Sequence, residues 1–289
     1  MTSAAFHDAR KRFHARLLAS ILNVTSGVPS NADKSNASSV AIAKGMVAAL
    51  GTAVVGIRAS AQIAGNSFED EVRLFIEETF LSLKHLCPGV YKVERILNKS
   101  PLSLAKFFQY AHLMELDKAI KEHPELRGSI SLDYGVAPDI VVYREPESDA
   151  SINRPTLLLD SGTAIYTPLR RTNNELPLLH GSVSCKWTLR SDRAQNARSE
   201  ALNLLRNRKG ALPHVAVVTA EPLPSRLASL AQGTGDIDCV YHVALPELLA
   251  AGRALPSSAA AKKQLGTLET LVNGRRLRDI ADLALDLAA

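Results

Sequence analysis

The spacing of apolar residues changes character about 125 residues into the chain. Up to that point, apolar side chains recur every three to four positions, which is the period of an amphipathic helix. This pattern predicts helices near residues 5–22, 38–52, 66–86 and 102–122. Beyond it, short runs rich in branched residues predict strands at 139–143, 156–159, 182–189, 214–219 and 239–244.

Helical patterns fill the intervals between these strands. A long helix is predicted at about 191–209, and shorter ones at 224–231, 246–252, 263–273 and 278–287. Strands that alternate with helices favour an α/β fold, here with a mixed central sheet flanked by helices. We expect one domain over residues 1–289, in which a mainly helical part (1–125) packs on an α/β core (126–289) that carries the candidate chemistry.

The composition is that of an ordinary globular protein, with 46% hydrophobic and 22% charged residues among 289. The three cysteines, Cys87, Cys185 and Cys239, are odd in number and far apart, so neither a disulfide framework nor a zinc site is expected. The longest apolar stretch, 45–57, is too short to span a bilayer. We therefore expect a soluble protein of the reducing cytoplasm.

Positive charge is concentrated in one segment. Residues 170–210 contain nine basic and three acidic residues, an excess of six, whereas the whole chain carries +5. Clustered basic charge is typical of a protein that binds a polyanion. A solvated surface explains such a run equally well, so the charge alone does not decide the function.

The strand at 182–189 has one polar and one apolar face. Ser182, Ser184, Lys186 and Thr188 alternate with apolar residues, and successive side chains of a strand point to opposite faces. Asp139 follows a proline at the start of another predicted strand. If these two strands are neighbours, the carboxylate and the lysine converge, as metal-assisted hydrolysis of a phosphodiester requires. The same two residues also occur together by chance in many proteins.

The predicted helix after Lys186 adds a second kind of chemistry. Arg190, Asp192 and Arg193 lie where the strand passes into the helix, with Ser191 as a candidate N-cap. Arginine matches the O6 and N7 acceptors of guanine, and aspartate accepts from the N4 amine of cytosine. Local ion pairs at the start of a helix are the alternative. Glu200, seven residues after Arg193, shares its face about 10 Å along the axis.

Longer strings of residues identify a family. The stretch 184–200 reads SCKWTLRSDRAQNARSE and, with RNRKG at 206–210, closely resembles the NgoMIV-like type II restriction endonucleases. Further matching strings are SNAD (30–33), GNSFE (65–69), QYAHL (109–113), PDI (138–140), TAEP (219–222), SR (225–226) and GTGDIDCVYH (233–242). The similarity runs nearly end to end and is weaker at 88–104 and 146–178. It implies the restriction-endonuclease-like fold of the PD-(D/E)xK nuclease superfamily, in the branch that recognises CCGG.

The resemblance implies roles for the candidate catalytic residues. Asp139 is expected to bind the metal, Lys186 to be the catalytic lysine, and Glu69 to be a second carboxylate near the metals. In the common form of the motif an acid stands two positions before the lysine, where this chain has Ser184, a possible supporting residue. In this branch Glu200 supplies that acid.

The resemblance also implies the cofactor and the partners. Mg²⁺ is expected, two ions per active site, with the backbone carbonyl of Cys185 as a further ligand. Double-stranded DNA containing GCCGGC is the expected substrate, cut after the first G to leave a 5′ overhang. A homotetramer of two back-to-back dimers is the expected assembly. The implied base-reading residues are Arg190, Asp192 and Arg193 for the inner CCGG, Asp33 and Arg226 for the outer G·C pair, and Gln62 for the minor groove.

Other functions account for less of the sequence. The string DSG at 160–162 resembles the active-site turn of aspartic proteases, but such enzymes need two of these turns and an all-β fold. A DNA-binding protein of the same fold that no longer cuts is expected to have lost Asp139, Lys186 or Glu200, and all three are present. A structure-selective repair nuclease of this fold is a further alternative, but it has no need of a cluster that reads G·C pairs.

Overall fold

The computed structural model describes residues 3–51, 61–98, 100, 102–125, 137–233 and 235–289. The side chains of residues 61–64 and 191–193 lie outside this description. The base-reading roles predicted for Gln62, Asp192 and Arg193 therefore concern side chains outside the described part of the chain.

A mixed central sheet organises the described chain, as predicted. Two short strands near the N-terminus, β1 (Val24–Thr25) and β2 (Val28–Pro29), pair separately. Six further strands form the sheet and lie side by side in chain order. They are β3 (Tyr91–Arg95), β4 (Ile140–Arg144), β5 (Leu178–Lys186), β6 (His214–Thr219), β7 (Cys239–His242) and β8 (Leu277–Asp279).

Helices flank this sheet. They are α1 (Ala5–Ser20), α2 (Ala37–Leu50), α3 (Ala61–Phe80), α4 (His112–Glu122), α5 (Asp149–Ile152), α6 (Ser191–Asn207), α7 (Pro224–Ala231), α8 (Leu245–Arg253), α9 (Ala259–Asn273) and α10 (Ile280–Ala288). Short 3₁₀ turns lie at Leu81–Leu83 and Phe108–Tyr110. Of the helices that the structure describes, none is both long enough and apolar enough to cross a bilayer.

The direction of pairing changes at β5. β4 is antiparallel to β3 and β5, whereas β5, β6, β7 and β8 are parallel to one another. The start of an antiparallel strand lies beside the end of its neighbour, and parallel strands end at one common edge. The residues just before β4 and those just after β5 and β6 therefore share one edge of the sheet.

Apolar residues cover both faces of the sheet. Along β4, Ile140 and Val142 join the main apolar cluster, whereas Val141 and Tyr143 join a second cluster on the opposite face. The main cluster also takes in α1, α2 and α3. The ring of Phe68 on α3 packs edge-on against Trp187, with 5.1 Å between the ring centroids. The predicted packing of the N-terminal helices on the core is confirmed.

Most predicted elements are confirmed, but the strand predicted at 156–159 is wrong. Leu157 and Leu158 are 79% and 58% exposed. The side-chain oxygen of Asn153 accepts from the backbone N–H groups of Leu158 and Leu159, at 2.9 and 3.0 Å. Side-chain bonds of this kind replace a strand ladder, so the run of leucines forms an exposed loop.

Other elements also differ from the sequence prediction. The strands β3 and β8 were not predicted. The single helix predicted at 102–122 is a series of turns and a 3₁₀ turn, followed by the shorter α4. The helix after β5 begins at Ser191 with Arg190 as its N-cap, so the assignment of Ser191 as N-cap is wrong by one residue.

Candidate active site

Asp139 is held at the end of β5 by two hydrogen bonds. β4 begins at Ile140, opposite Val183, so β5 continues past the start of β4. The carboxylate of Asp139 lies beside the last residues of β5. Its Oδ2 accepts from the backbone N–H of Cys185 at 2.6 Å and from Lys186 Nζ at 3.1 Å. Asp139 is 1% exposed. The predicted convergence of Asp139 and Lys186 is therefore present.

Lys186 lies between two carboxylates. Its Nζ is 3.1 Å from Asp139 Oδ2 and 3.6 Å from Glu200 Oε1. Burial by itself lowers the pKa of the Lys186 ammonium, but the two carboxylates outweigh this effect and raise the pKa above its usual value. Lys186 is thus a positive charge held beside two negative ones.

Glu200 reaches this point from α6. The residue is 4% exposed, and the Ser184 hydroxyl donates to its Oε2. Ser184 and Lys186 are two residues apart on β5, so their side chains leave the same face of the sheet. Ser184 and Lys186 therefore both contact the carboxylate of Glu200, which projects from α6 over that face. The structure brings together Asp139, Ser184, Lys186 and Glu200.

Strand geometry places the backbone carbonyl of Cys185 on the side of β5 that faces Asp139. The N–H and C=O of one strand residue point to the same neighbouring strand, and the N–H of Cys185 bonds to Asp139. The carboxylates of Asp139 and Glu200 and the carbonyl of Cys185 are hard oxygen ligands of the kind that Mg²⁺ prefers. Among the described residues no group of three or more His, Cys, Asp or Glu side chains forms a metal cluster. A cation that keeps several waters and binds phosphate fits such a two-carboxylate site.

Glu69 lies beside the site but is paired with an arginine. Its Oε2 is 2.9 Å from Nη2 of Arg95, the last residue of β3. Arg95 is opposite Ile140 in the sheet, and the N–H of Ile96 bonds to the carbonyl of Asp139 at 3.0 Å. Sequence reasoning missed Arg95 because β3 was not predicted. The role of Glu69 near the metal stays a prediction.

Arg190 lies at the same edge of the sheet, four residues after the end of β5. Its side chain is exposed, and its carbonyl accepts from the N–H of Ala194 at 3.1 Å as α6 begins. The backbone of Asp192 and Arg193 forms the first turn of this helix. The reading segment and the catalytic residues are thus continuous in the chain.

Asp33 and Arg226, predicted to read one base pair together, form an ion pair. Asp33 Oδ1 also accepts from the hydroxyl and the N–H of Ser35, at 2.7 and 3.0 Å. The bonds from Ser35 and the charge of Arg226 lower the pKa of Asp33. The two residues are 193 positions apart in the chain, so this contact supports the prediction that they act at one place.

Some arginines of the basic segment have a structural role and do not contribute to a binding surface. Arg170 is buried and pairs with Asp149, with 2.7 Å between Nε and Oδ1. Arg198 donates to the carbonyls of Ser229 and Gln232 at 2.8 Å, near the end of α7. The charge count therefore overestimated the cations available to a polyanion.

Glu221, just after β6, was missed as a functional candidate. It is completely buried, and it lies between the backbone of Leu189 and the side chain of Arg226. Its contacts are mostly to backbone N–H groups, which leave no mark on the sequence. In the sequence, Glu221 is distinguished only as part of the string TAEP at 219–222.

The comparison with known proteins decides the family. The sequence model of the NgoMIV restriction enzyme family matches residues 13–289. The chain belongs to this family. It is also 49% identical over 285 residues to the type II restriction enzyme NgoMIV of Neisseria gonorrhoeae, and the match covers 98% of each chain.

Membership in the NgoMIV family identifies the class of enzyme to which this site belongs. The protein is a type II restriction endonuclease, a site-specific deoxyribonuclease, and DNA is its substrate. Enzymes of this type generally use divalent metal ions, and the oxygen ligands around Lys186 fit one. The predicted family, fold class and enzyme class are confirmed.

Proposed function

We propose that this enzyme recognises GCCGGC in double-stranded DNA and cuts after the first G, leaving a 5′ overhang, with Mg²⁺ as its cofactor. One observation carries the proposal: Asp139, Lys186 and Glu200 meet at the edge of the sheet from which the segment around Arg190 enters α6. Hydrolysis and base reading then take place on adjoining parts of one surface.

Asp139, Glu200 and the carbonyl of Cys185 are the proposed ligands of the cation. When bound, Mg²⁺ polarises the phosphate and makes its bound water more acidic. The protein fixes the geometry, because Asp139 is held by the N–H of Cys185 and Glu200 by the hydroxyl of Ser184. We propose two ions per active site, with Glu69 near the second.

Lys186 is proposed to orient the attacking water and to stabilise the charge that develops on the phosphate. Its raised pKa keeps the ammonium protonated beside Asp139 and Glu200. A protonated lysine donates hydrogen bonds and cannot accept a proton. Its contribution is therefore electrostatic, in a buried place where a fixed charge acts strongly.

The base-reading residues are proposed to follow hydrogen-bond chemistry. Arg190 and Arg193 offer forks to guanine, and Asp192 accepts from cytosine, which suits the inner CCGG. Asp33 and Arg226 form a matching acceptor and donor pair for the outer C and G. Gln62 is proposed to contact the minor groove.

A palindromic site suggests a symmetric assembly, because a two-fold dimer presents the same surface to each half-site. We propose a homotetramer of two such dimers. The loop after α5 exposes Leu157, Leu158 and Tyr166, and exposed apolar groups of this kind mark association surfaces.

We place the enzyme in the cytoplasm, because Cys87, Cys185 and Cys239 are all free thiols.

The test is digestion of plasmid DNA with the purified protein and Mg²⁺, followed by run-off sequencing of the ends. We expect cleavage at GCCGGC alone, after the first G, and no cleavage when EDTA replaces Mg²⁺. Cleavage at a different sequence refutes the specificity. Specific binding without cleavage in any divalent metal favours the silent DNA-binding protein, and cutting only at branched or damaged DNA favours the repair nuclease.

A further inference from the structure

Glu221 is a fully buried carboxylate at the edge of the sheet where DNA reading is proposed. It is 0% exposed and follows β6 by two residues. Its Oε2 accepts from the N–H of Leu189 at 2.8 Å, and its Oε1 accepts from the N–H of Leu223 at 3.1 Å. Oε2 is also 3.7 Å from Nη1 of Arg226.

Burying a charge in this way is costly unless hydrogen bonds and an opposite charge offset the loss of water. Burial raises the pKa of Glu221 above its usual value, and the bonds from Leu189 and Leu223 and the charge of Arg226 offset only part of this rise. Since no part of its surface is exposed, Glu221 has no direct access to a base or a phosphate. It acts through the groups that it holds.

Those groups belong to the segments that carry the proposed readers. Leu189 directly precedes Arg190, and Arg226 is itself a proposed reader. A third segment joins at the neighbouring residue, because the buried side-chain amide of Asn31 donates to the carbonyl of Ala220 at 2.8 Å. Asn31 is two residues before Asp33. The segments 31–33, 189–193 and 223–226 thus meet at Ala220 and Glu221.

We propose that Glu221 is a positioning residue for DNA recognition, which sets the segment that reads the inner CCGG and the residue that reads the outer G·C pair in a fixed relation before DNA binds. This inference rests on the proposed function. A group held in advance loses less conformational freedom when it binds, and a correct base then gains the full strength of its hydrogen bonds. If the guanidinium of a reading arginine is misplaced, binding to the correct base weakens, whereas binding to a wrong base, which lacks those hydrogen bonds, changes little.

The experiment compares Glu221→Gln with the wild-type enzyme. Glutamine keeps the shape but replaces one acceptor with a donor and removes the charge beside Arg226. The measured quantity is kcat/KM on GCCGGC divided by kcat/KM on ACCGGT, which differs in the outer pair. We expect this ratio to fall roughly tenfold in Glu221→Gln. The corresponding ratio for DNA sites that are altered in the inner CCGG should fall less.

Glu247→Gln is the matched control. Glu247 is a partly buried carboxylate on α8 that binds Arg10 through both oxygens, at 2.9 and 2.6 Å, and it is not among the proposed readers. Its substitution is expected to lower the melting temperature and to leave the discrimination ratio unchanged. If Glu221→Gln also lowers stability alone and keeps the ratio, its role is merely structural and the inference is overturned.

A second variant decides the matter if Glu221→Gln does not fold. Glu221→Asp keeps the charge, but its shorter side chain no longer reaches Leu189 and Leu223 together, so the ratio should fall severalfold. An unchanged ratio in folded Glu221→Asp overturns the inference. If the wild-type enzyme itself shows no preference for GCCGGC, the proposed function has failed; if the wild type discriminates and both variants do so equally, only the role of Glu221 has failed.

Discussion

The hydroxyl of Ser184 donates a hydrogen bond to the carboxylate of Glu200, sixteen residues later in the chain. Ser184 occupies the strand position at which the common PD-(D/E)xK motif has its acid, and Glu200 comes from the helix that follows. The strand position and the helix residue therefore meet at one point. Glu200 on α6 therefore places a carboxylate beside the strand position that carries the acid in the common motif.

Ser184→Ala is expected to lower kcat roughly fivefold with little change in KM. The variant removes a hydrogen bond to a charged acceptor, and the loss of such a bond costs about 1 kcal/mol or more. Single-turnover cleavage measures the chemical step directly. Ser182→Ala, two residues earlier on the same strand, is the control and should cleave normally. Equal losses in both variants contradict a specific role for Ser184.

Asp139→Asn is expected to abolish cleavage and to leave specific binding intact. Asparagine keeps an acceptor for the N–H of Cys185 but removes a negative charge from the proposed cation site. The loss should exceed about a hundredfold, since even residues one step removed from a metal commonly cost that much. Cleavage and gel-shift assays on the same DNA separate the two effects. Asp149→Asn, which loses only the pair with Arg170, serves as the control. Cleavage by Asp139→Asn at the wild-type rate refutes the assignment.

Arg226→Ala should lower discrimination at the outer G·C pair by roughly 1–3 kcal/mol, because the proposed bidentate contact to guanine would be lost. The measurement is kcat/KM on sites altered at each position in turn. Arg253→Ala removes the same charge from an exposed position on α8 and provides the control. Equal weakening on every sequence, with a smaller dependence on salt, is the result that assigns Arg226 to phosphate contact instead.

The fully buried His242 predicts that stability falls on acidification. Burial lowers the pKa of His242 from 6.5 to about 4. Between these values the unfolded chain binds a proton that the folded protein does not, so stability is present above about pH 6.5 and is lost as the pH falls toward 4. The loss is about 3 kcal/mol in full.

Urea unfolding of the wild type and of His242→Asn at pH 7 and pH 4.5 measures this contribution. Asparagine offers an oxygen in place of Nδ1, which accepts from the N–H of Ala244 at 3.0 Å. The variant should lose less stability than the wild type between the two pH values. Parallel losses show that carboxylates account for the whole effect.

The sequence was sufficient for the centre of the site, because that part depends on regular geometry. Strict alternation placed Lys186 on a polar face, and a proline before Asp139 marked the start of a strand. Antiparallel pairing of those two strands then brings the residues together without further information. Helix geometry had singled out Glu200 and the resemblance assigned it the role of the acid; the structure now shows its contact with Lys186.

The remaining features depend on contacts that periodicity does not express. β3 reads Tyr-Lys-Val-Glu-Arg, and of its residues only Val93 is buried, so its apolar signal is weak. Leu157 and Leu158 gave a false strand signal because apolar residues also occur in exposed loops. Glu221 bonds to backbone N–H groups, which every residue type shares. The ion pair of Asp33 and Arg226 joins loops far apart in the chain.

Asp139 and Lys186 are separated by 47 positions in the chain, yet their contact depends only on the pairing of β4 with β5. The long excursion between these strands, residues 145–177, leaves from the far end of β4 and returns at the far end of β5. Its length and composition can therefore change in evolution, or be redesigned, without disturbing the reactive groups. The architecture allows this excursion to diverge while the pairing that joins Asp139 and Lys186 is retained.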